Sequence, residues 1–476
     1  MIVMKFGGTS VEDAPAIERV AEIVRSRSAE DPIVVVSALA RVTDQLLAAG
    51  RAAAAGNRDV ALELALALRQ RHLRTASELL PNVEFSKLQP TLEADFDLLQ
   101  ELLTGVATLQ ELSPRSTDGL LSFGEQLSSE IVTAALVARD IAAERVDARE
   151  CLITDNSHTK ATPLFEPTRA RLEAQVRPLI KRRVIPVMGG FIGATLDGIP
   201  TTIGRGGSDY SASIVGAALE SERIEIWTDV PGMMTTDPNL CPEAQLIQEI
   251  SFDEAAELAS FGAKVLHPFT LLPAIDKNIP VWVLNSRDAT GTGTCIRAHV
   301  PRNHHPVRAI AAKRNTTIVN VAGERASIPR GFLREVLAVF DRHECQVDIV
   351  ASSQVRISLA VESGSAGPQL LADLERFAEV SCEPRQAIVG VVGENLRGRQ
   401  GIASRVFGSV AAAGVNVRMI SQGASEINIS FVIQEDDVPA AVRCLHRDLF
   451  GEAASEEQWL RSAPEEAVLR LQAEEG

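Results

Sequence analysis

Basic charge is in short supply in this chain of 476 residues: 47 lysines and arginines stand against 63 aspartates and glutamates, a net of −16. Binding to a phosphate backbone or an anionic lipid surface needs a basic face, so the balance disfavours nucleic acid and membrane, and neither is expected as a partner. No uninterrupted apolar run nears the ~18 to 20 residues of a membrane span. The longest, such as IVVVSALA from Ile33, have the length of a strand. The opening MIVMKFGG carries neither a basic leader nor a small-residue cleavage site, so a cytoplasmic location is expected. Six cysteines (Cys151, Cys241, Cys295, Cys345, Cys382, Cys444) form no CxxC pair. That sparsity excludes a disulfide scaffold and predicts reduced, mostly buried thiols. The nucleotide fingerprints GxGxxG and GxxxxGK(S/T) are also missing, and GVVGENLRG near Gly390 reads as a strand and turn. With 45% hydrophobic and 23% charged residues, disorder as the main state is excluded. A prior of ~150 residues per domain suggests about three domains.

What is present is rhythm. From Met1 to about Cys295, short β-branched runs (IVMKF, PIVVVSAL, VIPVMGGFI, RIEIWT, IPVWVL) alternate with amphipathic segments. This is the pattern of a mainly parallel sheet covered by helices. Residues 59–112, rich in Ala, Leu, Glu and Arg, predict two or three helices in a hairpin lying on that domain. PRNHHPV from Pro301 reads as a linker, its His304 and His305 having no flanking ligand at metal-site spacing. Two copies of a split β-α-β-β-α-β pattern follow, each with a helix that starts after a glycine (Gly331, Gly401) and runs into Val347-Asp348 or Val415-Asn416. Small paired sandwiches of this kind bind effectors at shared edges, so the last third reads as a sensor. The acidic tail from Glu456 is assigned no chemistry. The expected partition is 1–300, a linker at 301–308, then α+β modules at 309–385 and 386–476, with insertion of one module into the other left open.

Five segments can carry chemistry. Lys5-Phe6-Gly7-Gly8-Thr9-Ser10 is a strand entering a glycine turn, where backbone N–H groups and Lys5 suit a phosphate and Ser10 is expected to cap the next helix. Thr202–Ser211, TIGRGGSDYS, is too polar and glycine-rich for a core element. Its Arg205 fits a carboxylate or phosphate and its Asp209 an ammonium, together the two charged ends of an amino acid. Trp227-Thr228-Asp229-Val230-Pro231-Gly232 follows a strand, at the edge where open α/β sheets bind ligands. Phe261–Pro268, FGAKVLHP, ends a helix and offers Lys264, with His267 read as structural. In SFGE, Glu125 is expected in the first turn of a helix, complementing its dipole.

In this order and spacing, KFGGTS, SFGE, GRGGSDYSA, WTDVPG with TTDP, and FGAKVLHP resemble the aspartate kinases, and the resemblance covers the whole chain. It implies a three-layer αβα amino-acid-kinase-like domain and two C-terminal ACT domains, with no room for the homoserine dehydrogenase half of bifunctional relatives. It also implies transfer of the ATP γ-phosphoryl group, with Mg²⁺, to the side-chain carboxylate of L-aspartate. A carboxylic acid of this kind, with an ordinary pKa of ~3.9, is already ionised at neutral pH, so no general base is demanded. Carried over by motif, Lys5 stabilises the transferring group with Gly7, Gly8 and Ser10 around it and Ser37 in the same shell. Thr43, Glu125, Arg205, Ser208 and Asp209 hold aspartate, while Thr228, Asp229, Met234 and Lys264 hold ATP. Met234 and Asn239 stand where tyrosine and arginine are usual, which implies weaker nucleotide binding. SIPRGFLREVLAVFDRH and the strands after it most resemble lysine-sensitive members. Gly331, Phe332 and Leu333 then present backbone to an effector, and Asp348 meets its ammonium beside Ser352 and Ser353, favouring lysine over threonine. Ala326 stands where a bulkier residue is usual. ACT pairing between chains implies a homodimer or a dimer of dimers. The alternatives are a glutamate or acetylglutamate kinase, and a non-catalytic amino-acid sensor.

Overall fold

The computed structural model describes residues 1–204, 206–262, 268–300, 306–323, 331–353, 355–394, 396–422 and 426–451. It divides into two units, one holding residues 1–233, 248–252 and 265–300, the other 234–247, 253–264 and 301–476. A single boundary at 300 does not carry the two excursions from the first stretch into the second unit. Polar groups explain them: Thr235 pairs through its hydroxyl with His446 Nε2 at 2.9 Å, both buried, and Arg308 Nε lies 3.5 Å from Glu254 Oε1.

The apolar runs of the first unit become strands β1 (Ile2–Phe6), β2 (Pro32–Val36), β3 (Ala143–Val146), β4 (Ile185–Gly189), β5 (Ile192–Ala194), β6 (Pro200–Thr202), β7 (Arg223–Thr228), β8 (Glu249–Ser251), β9 (Val281–Asn285) and β10 (Thr294–Arg297). Eight of them form one sheet in the order β3-β4-β2-β1-β7-β9-β10-β8, while β5 and β6 make a separate ribbon. From β3 to β9 the strands run parallel; β10 is antiparallel to β9. Strand order reverses on either side of β1, and ligands of open α/β sheets bind at the carboxyl end of such a switch point.

Helices α1 (Ala14–Ser26), α2 (Val42–Ala54), α3 (Arg58–Leu79), α4 (Asn82–Leu109) and α5 (Pro114–Val137) share a core with Ile2, Met4, Phe6, Val34 and Val36. The expected hairpin is α3–α4. Period-two alternation sends Val3, Lys5, Ile33 and Val35 to the other face. Past the short α6 (Ala148–Cys151), that face is covered by α7 (Phe165–Lys181) and α8 (Gly207–Leu219), together with α10 (Leu272–Asp276), which follows α9 (Phe252–Ser260). The domain is therefore a three-layer αβα sandwich.

In the second unit, β11 (Ala309–Ala322), α11 (Phe332–Arg342), β12 (Val347–Ser352), β13 (Arg356–Glu362), α12 (Pro368–Glu375), β14 (Glu379–Val392), α13 (Ile402–Ala412), β15 (Val417–Ser421), β16 (Asn428–Gln434) and α14 (Val438–Phe450) build one six-stranded antiparallel sheet, β12-β13-β11-β14-β16-β15. Two cores lie on it, one around Val319, Phe332, Phe340 and Leu374, the other around Ile310, Val389, Phe431 and Leu445. Strand β11 serves both: Thr316–Ala322 pair with β13, whereas Ala309–Lys313 pair with β14 alone, across a register shift. Gly331 and Gly401, at φ 104° and 86°, cap the two corresponding helices. Five of the cysteines are buried, Cys382 is exposed, and all six are free. No helix of the described residues is long and apolar enough to cross a membrane.

Candidate active site

A cavity of about 380 Å³ opens at the carboxyl ends of β1 and β2, with Lys5, Gly8, Ser37, Thr43, Glu125, Ser208 and Asp209 in its lining. A cavity of similar size, about 390 Å³, lies at the amino ends of β2 and β4 between Arg25 and Arg183. Chemistry rather than size singles out the first.

Strand alternation places Lys5 on the α8 face, and Asp209 stands in the first turn of α8, so the two meet: Lys5 Nζ is 2.6 Å from Asp209 Oδ1, with both side chains largely buried. Asp209 is thus engaged by a cation of its own chain rather than left open for a ligand's ammonium. A Cβ on Gly7 would lie 3.6 Å from Lys5 Nζ, so the glycine turn sits directly over the ammonium. Gly7 N–H donates to Trp227 O at 3.1 Å, fixing that turn to the end of β7. Ser10 does not cap the next helix: Asp13 does, its Oδ1 accepting from Ala16 N–H at 2.9 Å. Ser10 is buried instead, its hydroxyl 2.8 Å from that of Ser286 and 3.3 Å from Trp227 O.

Glu125 does not open a helix either. It lies midway along α5, which starts at Pro114 behind the Ser113 cap, so the dipole explanation fails. The side chain is 3% exposed and its Oε2 has no hydrogen-bond partner. Burial pushes the carboxyl up to about 8, against the opposing pull of the Ala38 N–H and the Lys5 charge. An ammonium brought to this oxygen would restore the ionised form. Close packing is purchased with glycine at two neighbouring positions: a Cβ on Gly189 would come within 2.9 Å of Glu125 Cβ, and one on Gly190 within 2.8 Å of Ser208.

Thr228 and Asp229 sit at the carboxyl end of β7, linked through the Thr228 hydroxyl to Asp229 Oδ1 at 3.3 Å. Met234 belongs to the second unit, bridging to Leu246, and Asn239 is exposed and turned onto Asp237. Arg205, Lys264, His267, His304, His305 and Ala326 lie outside the described residues. Arg41, standing with Ala40 where the motif usually has small residues, lines the cavity at φ 66°; sequence reasoning missed Phe191, which lines it at φ 61°. It also missed Arg71, whose guanidinium donates to Ala40 O at 2.7 Å and Glu12 O at 3.0 Å. Nothing in their local pattern flags them.

In the second unit, Gly331 caps α11, Phe332 is buried in its core and Leu333 is exposed. Asp348 is paired with Lys313, Nζ to Oδ2 at 2.6 Å. Ser352 is exposed, and Ser353 closes a turn with Arg356, which donates its N–H to the Ser353 hydroxyl at 3.1 Å.

The same chain can be set beside known proteins. The amino acid kinase family matches residues 1–285, and the ACT domain matches 389–449. The chain is 37% identical to the lysine-sensitive aspartokinase 3 of Escherichia coli over 459 residues, 94% of this chain and 99% of that one. It is 38% identical to the chloroplastic aspartokinase 2 of Arabidopsis thaliana over 463 residues, 94% of this chain and 84% of that one. Its backbone is similar to the crystal structure of E. coli aspartokinase III in complex with aspartate and ADP, at a TM-score of 0.81 and 35% identity, covering 94% of this chain and all of that one. Matched along nearly its full length in both sequence and fold, the chain belongs to the aspartokinases of the amino acid kinase family.

Proposed function

We propose that the cavity beneath the Gly7-Gly8 turn is where the side-chain carboxylate of L-aspartate attacks the γ-phosphorus of ATP, forming 4-phospho-L-aspartate as ADP leaves. The observation that carries this reading is the convergence of Lys5, Glu125, Ser208 and Asp209 on one cavity. Two anions must meet there, so the demand is electrostatic. Lys5 neutralises charge on the transferring group, Asp209 aims Lys5, and Gly8 with Ser37 faces the phosphate, while Gly7, its N–H held by Trp227 O, and the buried Ser10 shape and brace the turn. Glu125 takes the aspartate ammonium, since Asp209 is already engaged, while Arg205, Thr43 and Ser208 hold the rest of the acceptor. Thr228, Asp229, Met234 and Lys264 seat the nucleotide. Mg²⁺ bound with ATP would supply counter-charge to the phosphates. Such an ion would be held mainly by phosphate oxygens and water with one or two carboxylates.

The ACT modules take an amino-acid effector, with lysine favoured because Asp348 is suited to a side-chain ammonium. The enzyme opens lysine, threonine and methionine synthesis in a reducing cytoplasm, as a homodimer or dimer of dimers. We assign one module to 316–385 and the other to 309–313 with 386–449.

Trapping the acyl phosphate with hydroxylamine tests the chemistry. Product is expected with aspartate and Mg-ATP, not with glutamate or acetylglutamate, and less of it when lysine is added. Silence with every acceptor overturns the reading. Arg205→Ala should raise the KM for aspartate far more than that for ATP; equal effects would count against its assignment.

A further inference from the structure

Seven residues before Glu125, two turns back along the same face of α5, stands Asp118, a carboxylate with no exposed surface and no part in the proposed chemistry. Three donors converge on it. His158 Nδ1–H reaches Oδ2 at 2.7 Å, Thr159 N–H reaches both oxygens at 3.1 and 3.0 Å, and the Thr202 hydroxyl reaches Oδ1 at 2.6 Å. An ionised carboxylate accepts at both oxygens, whereas an amide of the same shape accepts at one and presents hydrogens at the other.

What these donors hold bears on the cavity. Thr202 is the last residue of β6. Two residues later comes Gly204, at φ 78°, then Gly206, at φ 68°, and then the first turn of α8 with Ser208 and Asp209. Thr202 O also accepts from Ala161 N–H at 3.0 Å. A Cβ on Gly204 would lie 3.7 Å from Thr159 O and 4.0 Å from Lys160 Cα. The segment clasped by Asp118 is therefore the wall against which Gly204 rests, and Gly204, Gly206 and Gly207 line the same cavity as Glu125.

We propose that Asp118, with His158 and Thr202, is a positioning device that sets Gly204, Gly206 and Gly207 relative to Glu125 and so fixes the affinity for the amino-acid end of the acceptor. The inference rests on the reading that Glu125 and Ser208 meet aspartate. One rigid helix carries both Asp118 and Glu125. It thus acts as a ruler between two halves of one subsite that are far apart in sequence.

The test is the KM for aspartate and for Mg-ATP, measured separately on full-length Thr202→Val, Thr202→Ser, His158→Ala and Asp118→Asn, with thermal unfolding alongside. Losing one hydrogen bond to a buried charge should raise the aspartate KM about ten-fold in Thr202→Val and His158→Ala, leave the ATP KM within about two-fold, and be rescued in Thr202→Ser. Where Asp118→Asn does not fold, the other three variants carry the comparison. An aspartate KM unchanged in both Thr202→Val and His158→Ala overturns the proposal, as does a parallel rise in both KM values. Glu125→Gln in the same assay separates the causes: if it leaves the aspartate KM unchanged, the site reading falls and takes this inference with it. If it raises that KM while the Thr202 and His158 variants do not, the positioning role alone is wrong.

Discussion

Glu125 holds a proton that an ordinary glutamate has lost at neutral pH, and two consequences follow with opposite signs. Between 4.5 and about 8 the folded chain keeps this proton while the unfolded chain releases it, so the group's contribution to stability falls as pH rises through that window and is level above it. Thermal unfolding followed from pH 5 to 8 should show part of this slope vanish in Glu125→Gln. Glu130, pushed up to about 7 by burial and by Asp95, adds slope of the same sign, whereas buried His72, pushed down to about 4, adds slope of the opposite sign below 6.5. For the substrate the sense reverses. An ammonium that demands ionised Glu125 binds better as the proton leaves, so the KM for aspartate should fall as pH rises toward about 8. Glu125→Gln should flatten that profile and raise the KM by about ten-fold or more. Lys5→Met is expected to lower kcat about 100-fold or more, because one preorganised charge at the transferring group is lost. Substrate affinity should change much less.

Elements, rather than single side chains, decide where these groups point. Arg71 reaches from α3 to backbone carbonyls in the segments after both β1 and β2, holding the two phosphate-side turns together. Arg71→Lys cannot make both bonds with the same fork. It should cost about 2 kcal/mol of unfolding free energy, measurable by urea denaturation, and should lower kcat as the turns loosen. The strands are legible from short β-branched apolar runs, buried on both faces, and the two ACT helices from their glycine starts, because those signals are local. The helix starts expected at Ser10 and Glu125 fail although better signals stand nearby: Asp13 with Pro15 for α1, and Ser113 with Pro114 for α5. Most of the candidate site can be named only because its motifs occur together. The ion pair joining positions 5 and 209, and the clasp of Asp118 on His158 and Thr202, are set by tertiary packing and leave no periodic trace. Phe191 escapes for a related reason, since its left-handed backbone is imposed by the turn it occupies.

On the scale of the whole molecule, the regulatory unit contains its own ammonium. Lys313 occupies Asp348, so an effector addressing that carboxylate must displace a tethered competitor. Lys313→Met should therefore lower the lysine concentration needed for half-inhibition, about three-fold for a partly exposed pair, with uninhibited activity as the control. A rise instead would mean that Lys313 helps to hold the effector. Oligomeric state is checked by light scattering with and without lysine, where a mass of at least twice the chain is expected.

The long strands β11 and β14 carry a further consequence. Side chains alternate sides along a strand, so one residue inserted between Ile318 and Val321 would turn the rest of that run inside out and present core valines to water. Because the same ribbon threads both lobes, the damage could not be confined to one of them. Point changes along this stretch should be absorbed, whereas single-codon insertions or deletions should abolish soluble expression, a contrast that a saturation library scored for folded protein would expose directly.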